Sequence, residues 1–224
     1  MKSGSMRVSR FFGVITLLLC IGCRNHDLEK GNSSLALGDY PLAIRFFEKA
    51  VIDDPKSYEA RLGLGEALLQ KAIAENDNTL FTSALLQFEA CRSLIPSQDI
   101  SALLGETYTE RVRVLLNRRD TLMALNTLTK AIESTPNSAQ PFNLAGIIYG
   151  KLGDIHKAEA LFRKALDLDS TDASAHFNLG MILWQTGDYR SAHTQWLKAL
   201  KAAPKDEDIL YWFALSEKKM KELP

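Results

Sequence analysis

Between Ala173 and Pro204, ASAHFNLGMILWQTGDYRSAHTQWLKALKAAP, apolar residues recur at helical spacing on either side of one break at Gly187-Asp188. Bulky side chains at Leu179, Leu183, Tyr189 and Trp196 alternate with small ones at Gly180, Ala192 and Ala199. Small residues let two helices approach closely, and large ones fill the space between them. Gly187 predicts the end of the first helix, because only glycine takes a positive φ there without strain. Pro204 predicts the end of the second. The stretch therefore reads as two short amphipathic helices joined by a tight turn.

The same pattern recurs along the chain. Leu28–Pro55 carries Gly31, Gly38, Tyr40, Ala43, Phe47, Ala50 and Pro55 in matching places, with a Gly- and Ser-rich first helix that is expected to fray. Tyr58–Ser97 matches at Leu64, Gly65, Ala84, Phe88, Cys91 and Pro96, and Gln98–Asn137 at Leu104, Gly105, Tyr108, Ala124, Ala131 and Pro136. In both, 19 residues separate the first-helix glycine from the second-helix alanine, against 12 in the Ala173–Pro204 unit. Seven extra residues are about two helical turns. They form either a surface loop or longer helices. Ala72-Ile73-Ala74 and Val114-Leu115-Leu116 favour longer helices, and the turn signals Asn76-Asp77-Asn78 and Asn117–Asp120 place about one added turn on each. Ala139–Thr171 returns to standard length, with Phe142, Gly146, Tyr149, Gly153, Ala158, Phe162 and Ala165, and Ser170 in place of the closing proline. Asp206–Lys221 reads as a lone last helix, acids leading and lysines trailing as the helix dipole favours.

These spaced residues resemble the tetratricopeptide repeat (TPR), a 34-residue helix-turn-helix that stacks into a solenoid. The resemblance spans about residues 24–221. It implies an all-α, right-handed solenoid of antiparallel helix pairs. The repeats fall at about 24–57, 58–97, 98–137, 139–172 and 173–206, with a capping helix at 207–221. It also implies an inner groove, lined mainly by the first helix of each repeat, that binds a protein or peptide partner. Carried onto this chain, the groove positions are Gln140, Asn143, Ile147 and Lys151, then Phe177, Met181, Trp184 and Gln185, then Tyr211 and Leu215 on the cap. The second and third repeats offer Glu59, Glu66, Glu106 and Glu110, so the groove would grade from acidic to aromatic. For Phe177, Met181 and Trp184 the competing reading is core, covered by the last helix. The basic residues of the family's carboxylate clamp are absent; only Asn178 fits that pattern.

Charge and motifs narrow the function. Lys plus Arg and Asp plus Glu are both 27, and the first 23 residues hold three bases (Lys2, Arg7, Arg10) and no acid. The remainder has 24 bases against 27 acids, a net charge of −3 that argues against a nucleic-acid partner. No nucleophile–base motif, phosphate-binding glycine loop or HExxH stretch occurs, so neither catalysis nor a cofactor is expected. His26, His156, His176 and His193 are scattered, which argues against a metal site, and His176 reads as a packed imidazole. Cys91 falls at a small-residue position and reads as core.

The N-terminus reads as an address. Basic residues precede Phe11–Ile21, an apolar run of about eleven residues, too short for a permanent span of about 20. Ile21-Gly22-Cys23 resembles a bacterial lipobox with Cys20 where the pattern prefers Leu, implying that residues 1–23 are a lipoprotein signal segment whose Cys23 is lipidated and becomes the mature N-terminus. An ordinary signal cut nearby is the alternative. Lipidation by more than one acyl chain would anchor the domain stably, exported to the periplasmic side, and Arg24 would permit outer-membrane sorting. The layout is similar to that of small TPR lipoproteins that assist envelope assemblies such as pili, secretion or cell-wall machinery. The expected role is a non-catalytic, membrane-tethered scaffold; the rival is a self-assembling, homo-oligomeric structural protein.

Overall fold

The computed structural model describes residues 26–222; the signal segment, Cys20, Cys23 and Arg24 lie outside the described residues. Within them the chain forms eleven helices and no strand. Five hairpins follow one another. They are α1 (His26–Ala36) with α2 (Tyr40–Asp53), α3 (Tyr58–Glu75) with α4 (Asn78–Leu94), and α5 (Gln98–Asn117) with α6 (Thr121–Ser134). Then come α7 (Ala139–Lys151) with α8 (Ile155–Leu168), and α9 (Ala173–Gln185) with α10 (Tyr189–Ala202). α11 (Glu207–Glu222) closes the series. Each helix packs on its neighbours in the chain, and first helices touch across repeats (α1 with α3, α5 with α7, α7 with α9), which makes the array a solenoid. None of these helices is long and apolar enough to cross a membrane.

Local chemistry sets the hairpin ends. An aspartate opens every second helix: Asp39, Asp120, Asp154 and Asp188 each accept from a backbone N–H three residues on, at 3.0–3.1 Å, and Asp77 accepts from Thr79 N at 2.7 Å. In the standard hairpins the turn passes through Gly38, Gly153 or Gly187 at positive φ. Asn76 and Arg119 take that left-handed conformation in the long ones.

The seven-residue extensions are helical, and the two hairpins distribute them differently. α3 and α4 are 18 and 17 residues long, against 13 and 14 for α9 and α10. In the third hairpin α5 has 20 residues while α6 keeps 14. The expected division of one turn to each helix therefore holds for the second hairpin and is corrected for the third. The physical reason is that α5 carries Val112, Val114 and Leu115 at buried positions, so the apolar stripe continues up one helix only. The long tips are joined by polar contacts: Arg111 Nε donates to Asn78 Oδ1 at 2.7 Å, and Arg118 donates to the Asn76 carbonyl.

Four hairpins share one packing device. The first-helix glycine lies against an aromatic ring of the second helix: Gly31 on Phe47, Gly65 on Phe88, Gly146 on Phe162 and Gly180 on Trp196. A Cβ at these glycines would come within 2.4–2.7 Å of the ring, closer than any packing permits. The third hairpin has Leu128 in place of the ring, and its Gly105 faces Thr135 instead.

Candidate interaction groove

The first helices α3, α5, α7 and α9 carry the positions expected to form the groove. Their side chains fall into three environments.

Toward the C-terminus the face is packed. Ile147, Phe177, Met181 and Trp184 are half-buried against a core containing Phe162, Leu179, Leu183 and Trp196, to which α11 adds Trp212 and Phe213. Trp184 stands 4.7 Å from Tyr189, 5.5 Å from Trp196 and 6.2 Å from Trp212, ring centre to ring centre. Trp196 is fully buried and its indole N–H donates to the Phe177 carbonyl at 3.2 Å. Tyr211, 63% exposed, meets Trp212 edge-on, and Gln185 and Lys151 are exposed. The last helix thus extends the aromatic core and leaves Tyr211 outside it.

Between α7 and α9 the face is held by a polar ladder. Asn143 is only 7% exposed. Its Nδ2 donates to Ser174 Oγ at 3.1 Å and its Oδ1 accepts from Asn178 Nδ2 at 3.0 Å. This side chain joins two helices, and Asn178 is its partner.

Toward the middle the face is acidic and open. Glu66 and Glu106 have neither a hydrogen-bond nor an ion-pair partner among the described residues. Burial raises the Glu66 carboxyl above the usual range; burial and then the charge of Glu110 raise that of Glu106. Glu110 is paired with Arg113, and Glu59 is exposed.

A cavity of about 180 Å³ opens beside Glu106, where α5 meets the α6–α7 connection. Ala102, Gly105, Thr109, Thr135, Ser138 and the predicted groove residue Gln140 complete its wall. The junction of α6 with α7 is the loosest between successive helices. Thr109 Oγ1 donates to the Gly105 carbonyl at 2.7 Å and Thr135 Oγ1 to the Ala131 carbonyl at 2.9 Å. Ser138 precedes α7 but makes no side-chain cap bond. Its position explains this: Ser57 and Ser97 cap through the N–H three residues on, and three residues after Ser138 stands Pro141, which has none. Gln140 and Glu106 are legible as groove positions in the sequence; the cavity they share is not. Two signals for it were present, Leu128 in the aromatic position and the Ser138/Pro141 spacing.

The remaining candidates for chemistry are structural. His176 is buried, with Nδ1 2.7 Å from Gln195 Oε1 and Nε2 3.1 Å from the Ser170 carbonyl. His193 lies 2.8 Å from Ser216 Oγ and stacks on Phe213. Cys91 is fully buried, and burial pushes its thiol up to about 11. Among the described residues no three His, Cys, Asp or Glu side chains gather as metal ligands would.

The tetratricopeptide repeat family model matches residues 28–76 and 143–215, just over half of the chain. The chain belongs to the tetratricopeptide repeat family. Members are generally protein-interaction scaffolds and typically non-catalytic. The unmatched stretch between those segments contains α4, α5 and α6, where the long hairpins depart from the 34-residue period. Solved structures share the fold. PilF of Pseudomonas aeruginosa is 17% identical with a TM-score of 0.60, covering 87% of this chain and 83% of its own. MamA from Desulfovibrio magneticus RS-1 is 20% identical, TM-score 0.58, covering 84% and 99%. YrrB, described as a TPR protein with an unusual peptide-binding site, is 19% identical, TM-score 0.56, covering 83% and 89%.

Proposed function

We propose that this TPR protein is a non-catalytic scaffold that holds an extended segment of a partner protein along its inner face. An acylated Cys23 tethers it to a membrane on the periplasmic side, where it serves the assembly of an envelope complex of the pilus, secretion or cell-wall kind. One observation carries the groove reading. The middle of the inner face keeps two carboxylates without partners, Glu66 half-buried and Glu106 exposed beside an open cavity. Burying charge without a partner costs stability, so a face built this way is suited to receive its partner from outside. The peptide-binding site described for YrrB is in keeping with it. The tether rests on the basic residues Arg7 and Arg10, the apolar run Phe11–Ile21 and Ile21-Gly22-Cys23.

The test is cross-linking and capture from native membranes with wild type and a Glu66→Gln/Glu106→Gln variant. Capture of a defined envelope protein by wild type, and its loss in the folded variant, is the expected result. Capture that the variant leaves unchanged overturns the groove assignment. For the tether, a palmitate analogue should label wild type and not Cys23→Ser; equal labelling contradicts it.

Self-assembly is the second reading, favoured by the apolar side chains the first hairpin leaves in solvent, Leu37 at 85% and Ile52 at 76% exposure. It requires a concentration-dependent oligomer in sedimentation, weakened by Leu37→Ser/Ile52→Ser.

A further inference from the structure

We infer that the cavity between α5 and the start of α7 is a subsite for one basic side chain, the lysine or arginine of a partner segment lying in the groove. The inference rests on the groove reading and specifies its chemistry.

The cavity lies at the one hairpin that departs from the other four. Where they seat an aromatic ring against the first-helix glycine, this one has Leu128, and the smaller Thr135 reaches Gly105. About 180 Å³ is left open, enough for one long side chain and too little for a folded element.

Apart from the Gln140 amide, which both donates and accepts, its polar wall offers acceptors and so favours a donor. Thr109 and Thr135 have committed their hydroxyl protons to backbone carbonyls of their own helices, so toward a ligand each oxygen has only lone pairs to offer. Ser138 Oγ is left without a bond by Pro141, and Glu106 is an acceptor whenever ionised. Lysine and arginine are the charged side chains that donate without accepting. Their aliphatic stems fit the remaining wall of Ala102, Gly105 and the Thr135 methyl.

Charge supports the same ligand. Glu110 is engaged by Arg113, which leaves Glu106 as the uncompensated full charge beside the opening. The start of α7 contributes the opposite sign, but only about half a unit charge, spread over a solvated helix end. An incoming ammonium or guanidinium would meet a net negative site, and its pairing with Glu106 would relieve a carboxylate that has no partner of its own.

The test uses the full chain in detergent and a positional-scanning library of short acetylated, amidated peptides, read by fluorescence anisotropy. The expected result is that one position of the binding peptides demands Lys or Arg. Replacing that residue by norleucine should weaken binding about tenfold, near 1.4 kcal/mol. Glu106→Gln should cause a similar loss, and so should Ala102→Met, which fills the cavity from its wall. Both variants must melt like wild type, and added salt should weaken wild-type binding more than Glu106→Gln binding. Peptides that bind without any basic preference, or a preference that survives both variants, overturn the subsite and leave the groove standing. If no peptide binds at any position, the groove reading falls and the subsite with it.

Discussion

The third hairpin and the fifth solve the same packing problem in opposite ways. In the fifth, Gly180 receives the indole of Trp196, which is fully buried, hydrogen-bonded to the Phe177 carbonyl and joined to Trp184 and Trp212. The space over that glycine is filled by the indole, and the pocket at this hairpin lies beside it, against His176, Leu179, Gln195 and Lys198. In the third, Gly105 receives Thr135, the ring is replaced by Leu128, and a cavity remains. The difference shows where a repeat protein can place a site without giving up its fold. The repeat that lacks the aromatic ring is the one with the cavity beside its first-helix glycine, while its neighbours keep the ring-on-glycine packing.

The largest effect should come from removing the anchor of the filled repeat. Trp196→Ala is expected to cost about 3–5 kcal/mol in urea unfolding, with Leu128→Ala costing less, about 2–3 kcal/mol. Equal losses would remove the energetic basis of the contrast. Next come the glycines. At Gly180 a methyl would lie 2.4 Å from a ring that cannot move, so Gly180→Ala should cost about 1–3 kcal/mol. At Gly105 the obstructing atoms, Cγ2 at 2.3 Å and Oγ1 at 2.5 Å, both belong to Thr135, and no staggered χ1 rotamer of this β-branched side chain clears both. Gly105→Ala is therefore expected to cost a comparable amount, about 1–3 kcal/mol by thermal melting.

The helix starts sharpen the comparison further. Asp188 accepts from Ser191 N at 3.0 Å, and Asp188→Ala should cost about 1 kcal/mol. Ser138 makes no such bond, so Ser138→Ala should leave the melting temperature unchanged.

The smallest effect is the pH dependence, and the two carboxylate classes give it opposite signs. Asp169 and Asp188 are held below the usual range by hydrogen bonds from Thr171 and Ser191. Their stabilisation is full above the ordinary aspartate value and is lost as pH falls through the depressed one. Glu66 and Glu106 are raised by burial, so the unfolded chain gives up these protons first. Stability should fall as pH rises from the ordinary glutamate value through the raised one. Melting temperature against pH for Glu66→Gln should lack part of that upper decline.

Much of this architecture is legible in the residues themselves. Glycine and aspartate at the turns, small residues facing large ones and a proline after most second helices mark the hairpins without reference to a structure. What escapes is whatever depends on more than one element. The extra turns of the third repeat all belong to α5 because Val112, Val114 and Leu115 find buried surroundings there, which the turn signal at Asn117–Asp120 does not reveal. Counting groove positions puts Asn143 on the open face; only the arrival of Ser174 and Asn178 from the next repeat draws it between helices. Trp184 likewise reads as groove or core until Trp212 from the last helix stands beside it. The cavity needs α5, the end of α6 and the start of α7 together, so no single stretch announces it.

The most direct test of the inner face is site-specific photo-crosslinking in native membranes, with a photoreactive residue at Gln140 in the groove or at exposed Lys164 on α8. Both positions are solvent-accessible, so each can be replaced without disturbing the core. One partner should be captured from position 140 and not from position 164. Capture from position 164 alone, or equally from both, would contradict it.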